Sequence, residues 1–209
     1  FLCTIEEAEI IKVSYNTAIT AKICIANTIM ELSHKVGNAN CDKVTEALSL
    51  ATDRIISTRY MKGGQGDGGN CHPRDCISMS WLAKELNLSY DLYEKLLECR
   101  DEQAWWLASQ CGDGVKILGS AFKKNTNMTA GSPAILMTHF LKNFEQYDPH
   151  VNPEAKKPEG AGVYFIATEH DVFRDYDFPE GSVVIDPFRF IEPKEHFTLV
   201  RIGDSTEKK

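Results

Sequence analysis

Residues 63–75 read Gly-Gly-Gln-Gly-Asp-Gly-Gly-Asn-Cys-His-Pro-Arg-Asp, and the rest of the chain is organised around this stretch. Five of its first seven residues are glycine, so the backbone can adopt positive φ and approach a ligand closely. Cys71 follows, and then come a cation at Arg74 and a carboxylate at Asp75. Ordering a glycine-rich loop costs conformational entropy. A loop that delivers a thiol into charged surroundings therefore favours a functional site over a linker, although such a composition also fits a plain turn beside a buried cysteine.

The composition of the whole chain narrows the classes of function. The 209 residues carry a net charge of −7, which disfavours nucleic acid as a partner. No apolar run is long enough to span a membrane. Seven cysteines without framework spacing indicate a reducing compartment, and we expect a cytoplasmic protein. The chain begins at Phe1 and enters a helical pattern at once, so we expect a piece of a longer protein.

Helical periodicity precedes the glycine stretch. Apolar residues recur every three or four positions and predict a long helix over 4–35, followed by helices over 42–51 and 53–61. Lys12 and Asn16 are four residues apart, so both project from one face of the first helix. A solvated helix face is the plain alternative for this pair.

Helical periodicity resumes after the glycine stretch, with predicted helices over 76–86 and 89–110. The second of these carries Trp105 and Trp106. Adjacent residues on a helix point in different directions, so the two indoles must meet different neighbours. One of them is a candidate for contact with a second subunit or domain, and core packing is the alternative.

The periodicity changes at Gly112, where short apolar runs begin to alternate with turns. The predicted strands cover 115–119, 145–148, 163–168, 183–186 and 198–202, and the predicted helices between them cover 132–143 and 171–176. Alternating strands and helices predict an α/β fold with a Rossmann-like parallel sheet. We therefore predict two domains, a helical one over 1–111 and an α/β one over 112–209.

Three chemical interpretations of the glycine stretch can be compared. Residues 64–69 match G-x-G-x-x-G, but they follow a predicted helix instead of a strand, so they do not predict a dinucleotide site. The spacing of Cys71, His72 and Cys76 matches no common zinc pattern, and we expect no metal. Cys71 as a nucleophile fits best, because Arg74 and a lysine elsewhere in the chain would favour its thiolate.

Several stretches together resemble the nucleotide-sugar dehydrogenases, the family of UDP-glucose and GDP-mannose 6-dehydrogenases. They are Glu6-Glu-Ala-Glu-Ile-Ile-Lys-Val-Ser-Tyr-Asn16, the glycine stretch with its flanks over 60–75, Gly119-Ser-Ala-Phe-Lys-Lys-Asn-Thr126, Ser132-Pro-Ala134, Tyr147-Asp-Pro-His-Val151 and Ala167-Thr-Glu-His-Asp171. The resemblance covers nearly the whole chain in the family's order. It departs at Ala130 and Phe188, where the family usually carries arginine.

The resemblance implies a chemistry. The C6 alcohol of a UDP- or GDP-linked sugar would be oxidised to a carboxylate with two NAD, through a thiohemiacetal and a thioester on a cysteine. Cys71 would be the nucleophile, and Lys12 would stabilise the developing alkoxide. Asn16 would hold that oxygen or a water, and Asp75 would orient or deprotonate the water. The alternative is a module that binds a nucleotide sugar or dimerises without turnover.

The resemblance also implies binding residues. Those expected at the substrate are Arg54, Tyr60, Lys62, Gly66, Gly68, Gly69, Phe122, Lys123 and Arg189, with Arg54 reaching across a homodimer formed through the central helix. Arg74 would lie toward the NAD cofactor. Residues 1–111 would be the central dimerisation domain, and residues 112–209 would bind the nucleotide sugar. The NAD-binding Rossmann domain of the family is not recognisable in these 209 residues, so we expect them to be inactive alone.

Overall fold

The computed structural model describes residues 2–3, 5–52, 62–66, 69–85 and 91–204. Four helices come first: α1 (Ile5–Val36), α2 (Cys41–Ser49), α3 (Cys71–Glu85) and α4 (Leu92–Ser109). The strands follow as β1 (Val115–Leu118), β2 (Phe144–Tyr147), β3 (Val163–Ile166), β4 (Val183–Asp186) and β5 (Thr198–Arg201). A short helix, α5 (Pro133–Thr138), lies between β1 and β2, and a 3-10 turn (Asp171–Phe173) follows β3.

The five strands form one parallel sheet in the order β2-β1-β3-β4-β5. The predicted α/β class with a Rossmann-like parallel sheet is confirmed. The predicted helix over 132–143 is too long, because α5 ends at Thr138. The amides of Phe140 and Leu141 bond to carbonyls three residues earlier, so the chain tightens into turns there.

One face of the sheet packs against helices. Its inward side chains, among them Ile117 and Phe165, share a core with Leu107 of α4, Met137 of α5 and Met30 of α1. This core crosses the predicted domain boundary between residues 111 and 112, so helices and sheet bury each other's apolar surface. The division into two domains stays a prediction.

The other face of the sheet is covered by aromatic side chains from loops. Tyr164 is fully buried against the rings of Tyr176 and Phe178, with centroid distances of 5.9 and 5.5 Å. The predicted loop over 149–162 is confirmed, since no helix crosses there. Aromatic rings thus supply the apolar area that a crossover helix would otherwise bury.

The helical half differs from the prediction at two ends. The helix that carries the glycine stretch's cysteine begins at Cys71, earlier than predicted, and α4 begins at Leu92, where Asp91 caps it by accepting from the amide of Glu94. The predicted helix over 53–61 lies outside the described residues. Trp105 is 53% exposed and Trp106 only 6%, which confirms that the adjacent indoles face different surroundings. Within the described ranges, no helix combines the length and apolarity that a membrane crossing needs.

Candidate active site

Cys71 is the first residue of α3, and its side chain is exposed. The carbonyl of Asn70 accepts from the amide of Arg74, which closes the first turn of the helix. Pro73 fits this first turn because its missing amide proton would have no partner there. The helix therefore starts within the glycine stretch, and Cys71 and Asp75, four residues apart, share one face of it.

Three donors converge on the Asp75 carboxylate. Lys12 Nζ lies 2.7 Å and Asn16 Nδ2 lies 2.5 Å from Oδ2. Arg74 contacts Oδ1 through Nε at 3.2 Å and Nη2 at 3.1 Å. The structure thus brings Lys12, Asn16 and Asp75 together, and the Lys12–Asn16 face of α1 contacts α3 as well as solvent. The catalytic roles of these residues stay predictions.

The protonation of Asp75 follows from this cluster. Burial alone would raise the pKa of Asp75, since the residue is only 4% exposed. Hydrogen bonds from Lys12, Asn16 and Arg74 outweigh burial and hold the pKa below its usual value. Asp75 is consequently a stable anion and a weak base. Of the two predicted roles, the geometry favours orienting a neighbouring group over deprotonating a water.

The glycine stretch is clamped by two residues that the sequence analysis missed. Asn27 Oδ1 accepts from the amide of Gly64 at 3.1 Å, and Gln103 Nε2 donates to the Gly64 carbonyl at 3.0 Å. Both clamping side chains are buried. The Gly64 amide is therefore already engaged and is not free for a sugar. Asn27 and Gln103 are amide residues that stand among apolar residues of α1 and α4, and this placement was the sequence signal for the clamp.

Two described glycines of the stretch combine a positive φ with close contacts to the sheet half of the protein. Gly66 has φ +59°, and a Cβ there would lie 2.3 Å from Cβ of Pro133. Gly69 has φ +79°, and its Cβ would lie 3.3 Å from the ring of Phe122. The stretch therefore lies against the loop after β1 and the start of α5, which joins the cysteine site to the sheet.

A cleft of about 220 Å³ lies beside this junction. Its lining comes from the carboxyl ends of β1 and β3, with contributions from beyond β4, from α5 and from the glycine stretch: Ala121, Phe122, Lys123, Lys124, Ala167, Thr168, Glu169, Phe188, Pro133 and Gln65. The strand order reverses between β1 and β3, and parallel α/β sheets bind ligands at that point. Lys124 pairs with Asp171 at 2.6 Å, which leaves Lys123 as the cleft cation without an ion pair within the described residues.

A buried carboxylate holds the loop that carries Phe122 and Lys123. Asp148, at the end of β2, accepts through Oδ2 from the amides of Ser120 at 2.7 Å and Ala121 at 2.9 Å. Nε2 of the fully buried His170 lies 3.1 Å from the same oxygen. Burial opposes ionisation, but these hydrogen bonds outweigh it and hold the pKa of Asp148 well below its usual value. Asp148 and His170 follow β2 and β3, the two strands that flank β1, so the carboxyl ends of these parallel strands bring the pair together.

Arg189 lies at the junction of the two halves and away from the open cleft. Its side chain is 3% exposed and pairs with Asp42, with Nε 2.7 Å from Oδ2 and Nη2 2.9 Å from Oδ1. The remaining N–H groups donate to the carbonyls of Gly63 at 2.6 Å, Pro187 at 2.5 Å and Ile202 at 2.8 Å. All five donors are thus used within the chain, and the arrangement gives Arg189 a positioning role in place of the predicted substrate contact.

The other predicted site residues are distributed as follows. Lys62 is exposed beside the glycine stretch, and Phe122 and Lys123 line the cleft. Arg54, Tyr60 and Gly68 lie outside the described residues. Arg74 is bound to Asp75, and its predicted role at a cofactor stays a prediction. The described ranges contain no group of three or more His, Cys, Asp or Glu side chains placed to hold a metal ion.

The burial of the cysteines predicts a selective alkylation pattern. Desolvation is the main cause that raises the pKa of Cys41 to about 11 and of Cys111 to about 12, while Cys71 is exposed. At pH 7.5 we expect iodoacetamide to modify Cys71 about tenfold or more faster than either buried thiol. Peptide mass spectrometry measures these rates, and the urea-unfolded chain is the control, in which the difference should vanish. Equal rates in the folded chain would contradict this interpretation.

A Rossmann-like parallel sheet with a cleft at its switch point, joined to helices that carry an exposed cysteine, defines the class of α/β proteins with a Rossmann-like fold. Residues 6–102 match the central domain of the UDP-glucose/GDP-mannose dehydrogenase family. This match and the curated relatives indicate the nucleotide-sugar dehydrogenases as the family that this chain is similar to. The resemblance seen in the sequence is confirmed.

Individual relatives agree with this assignment. The UDP-glucose 6-dehydrogenase TuaD of Bacillus subtilis is 29% identical over 185 residues, which cover 83% of this chain and 40% of that protein. Two solved structures share the fold: the UDP-D-ManNAc dehydrogenase from Pyrococcus horikoshii and the UDP-glucose dehydrogenase from Pyrobaculum islandicum. The first is 24% identical with a TM-score of 0.79, over 99% of this chain and 54% of that chain. The second is also 24% identical, with a TM-score of 0.77, over 94% of this chain and 51% of that chain. The chain therefore spans about half the length of the proteins it matches.

Proposed function

We propose that these residues are the substrate-binding and thiol-bearing part of a nucleotide-sugar 6-dehydrogenase. The observation that carries the proposal is the junction of the glycine stretch with the loop after β1, where Gly69 packs on Phe122. This contact places the helix that begins at Cys71 next to the switch-point cleft. A nucleotide held in the cleft would present its sugar toward the thiol.

The chemistry of the cluster supports this proposal. The Cys71 thiolate would add to a C6 aldehyde, so that a carbon–sulfur bond forms and the carbonyl oxygen becomes an alkoxide. Lys12, which is 56% exposed and already oriented by Asp75, would stabilise that negative charge. Asn16 would help to hold the oxygen, and the anionic Asp75 would keep both donors in place.

NAD is the cofactor that the family implies. All five strands of the described sheet come after residues 64–69 in the chain, so the G-x-G-x-x-G there belongs to none of its strand-turn-helix units. The Gly64 peptide within this motif is held by Asn27 and Gln103. No step of the chemistry assigned to this chain therefore passes through NAD. We propose that the 209 residues bind a UDP- or GDP-sugar but do not form NADH from it. Formation of NADH by the 209-residue chain would overturn this part of the proposal.

Binding can be measured directly. We expect UDP-glucose or GDP-mannose to bind the chain in calorimetric titration, and Lys123→Ala to weaken that binding about tenfold, because one charge-assisted hydrogen bond is worth roughly 1.5 kcal/mol. Lys142→Ala is the matched control. Lys142 is an exposed lysine just before the amino end of β2, whereas the cleft lies at the carboxyl ends of the strands. Failure of both nucleotide sugars to bind would contradict the proposed function.

The alternative, a module without turnover, shares this binding prediction and differs at the thiol. If the thiol takes part, a bound nucleotide sugar should slow the alkylation of Cys71, because the sugar would cover the start of α3. Binding without any protection of Cys71 would favour the module.

We also propose a homodimer through the central helix. Ile10 of α1 and Ile77 and Trp81 of α3 are 51%, 58% and 63% exposed and line one apolar groove. A second copy of the chain would bury this surface. We expect light scattering at micromolar concentration to give the mass of a dimer, and Trp81→Lys to give that of a monomer. Val172→Lys, at an exposed apolar residue of the turn after β3, is the matched control. A monomeric wild-type chain would contradict the proposal.

A further inference from the structure

A second cavity, of about 190 Å³, lies between α1 and α4. Cys24 reaches it from α1 and Cys99 reaches it from α4, while Gly66 of the glycine stretch also contributes to its lining. Cys99 is exposed and Cys24 is half-buried. Two thiols on facing helices therefore border one small space.

The Cys24 sulfur contacts α4 one turn before Cys99. Cys24 Sγ lies 4.0 Å from the carbonyl oxygen of Leu96, and Cys99 is three residues beyond Leu96 on the same helix. Short helical side chains in this protein reach the carbonyl three residues earlier, as Ser49 Oγ does at 2.7 Å and Ser109 Oγ at 2.6 Å. A helical cysteine has a similar reach, so the Cys99 sulfur can approach the Leu96 carbonyl in an allowed rotamer.

The spacing of packed helices permits a covalent link. Helix axes in contact lie about 8–10 Å apart and Cα atoms lie about 2.3 Å from each axis, so facing Cα atoms come within roughly 3.5–5.5 Å. Disulfides span Cα distances of about 4.4–6.8 Å. A disulfide between facing residues of two helices in contact is therefore sterically possible.

We propose that Cys24 and Cys99 are a redox-responsive pair that forms a reversible disulfide between α1 and α4. The oxidant is a small-molecule disulfide. The exposed Cys99 thiolate attacks one of its sulfurs and releases one thiol, and the Cys24 thiolate then attacks the Cys99 sulfur and releases the second. Two protein thiols are oxidised, and one small disulfide is reduced to two thiols.

The location gives this bond a consequence for the glycine stretch. Asn27 lies one turn beyond Cys24, and Gln103 lies one turn beyond Cys99. These two residues hold the amide and the carbonyl of Gly64. A covalent link one turn away fixes the spacing of the two helices that form the clamp.

The experiment treats the reduced protein with oxidised glutathione, alkylates the remaining thiols and maps tryptic peptides without reduction. We expect a crosslink between peptides 23–35 and 96–100, and a fall in titratable thiols of the unfolded chain from seven to five. Cys99→Ser should abolish the crosslink, and Cys3→Ser, which removes another exposed thiol, should leave it intact.

The proposal fails if Cys24 remains fully alkylatable after oxidation. It fails equally if Cys99 is recovered only as a glutathione adduct or joined to Cys3 or Cys71. Because the crosslink is read without any nucleotide sugar, its failure is distinguishable from failure of the proposed function.

Discussion

Asp148→Asn is expected to lower the free energy of unfolding by about 2–4 kcal/mol, because a buried carboxylate that accepts several hydrogen bonds is replaced by a neutral group with one acceptor oxygen. Asp148 is 4% exposed, and its two oxygens accept from the amides of Ser120, Ala121, His150 and Val151, in addition to the contact with His170. An asparagine keeps the shape but turns one acceptor into a donor. If its amide nitrogen replaces Oδ2, the buried amides of Ser120 and Ala121 lose their partner, at roughly 1–3 kcal/mol each. If it replaces Oδ1, the part-buried amide of His150 loses its partner, while the Val151 amide still donates to the Asp148 carbonyl at 3.2 Å.

The pH dependence provides a second test of the same variant. The pKa of Asp148 is lower in the folded protein than in the unfolded chain, so its stabilisation is fully present above the unfolded pKa of about 4 and is lost as the pH falls toward the folded pKa. The difference between wild type and Asp148→Asn should be constant from pH 6 to 8 and shrink below about pH 4.

Urea unfolding followed by circular dichroism measures both effects. Asp113→Asn is the matched control, because Asp113 is exposed and bonds only to the side chain of Asn143 among the contacts described for it; we expect a change below about 0.5 kcal/mol there. Nucleotide-sugar binding should weaken in Asp148→Asn even where the variant is folded, since Ser120 and Ala121 lead directly into Phe122. A variant as stable as wild type at pH 7 would refute the role assigned to this carboxylate.

Arg189→Met is expected to cost about 3–4 kcal/mol of stability through the same physical cause. The substitution keeps part of the apolar stem but removes five N–H donors, so the carbonyls of Gly63, Pro187 and Ile202 and the carboxylate of Asp42 lose their partner. Asp42 is 39% exposed, so water recovers part of its loss. The three carbonyls account for most of the expected cost.

This variant separates a positioning role for Arg189 from a substrate contact. A positioning role predicts reduced stability together with weaker clamping of the glycine stretch, seen as faster alkylation of the buried Cys41, which lies next to Asp42. Arg174→Met is the control, because Arg174 is exposed and donates to one carbonyl, at 3.4 Å; its effect should stay below about 1 kcal/mol. If Arg189→Met kept full stability and lost only ligand affinity, the original substrate prediction would be correct.

The corrections to the sequence predictions have a common cause. The start of α3 was placed too late because glycine-rich composition indicates a loop, yet Asn70 and Pro73 are also residues that open a helix. The end of α5 was placed too late because its apolar pattern continues past Thr138 while the backbone already turns. Local patterns identified these elements reliably and their ends less well.

Some features of this protein were determined by the sequence alone. The periodicity of three to four residues marks the long helices, the short apolar runs mark five parallel strands, and residues 63–75 mark the cysteine site, because each pattern records which side of a single element is buried. The resemblance of the quoted stretches also identified the family. All of these signals lie within contiguous segments.

Only the tertiary structure decided which partners these elements meet. Asp75 meets Lys12 and Asn16 across separations of 63 and 59 residues, and Arg189 meets Asp42 across 147. A side-chain pattern specifies that a residue faces inward, but the partner it finds depends on how helices and sheet pack against each other. For that reason Arg189 was predicted at the substrate, whereas packing directs all of its donors to the junction that supports the glycine stretch.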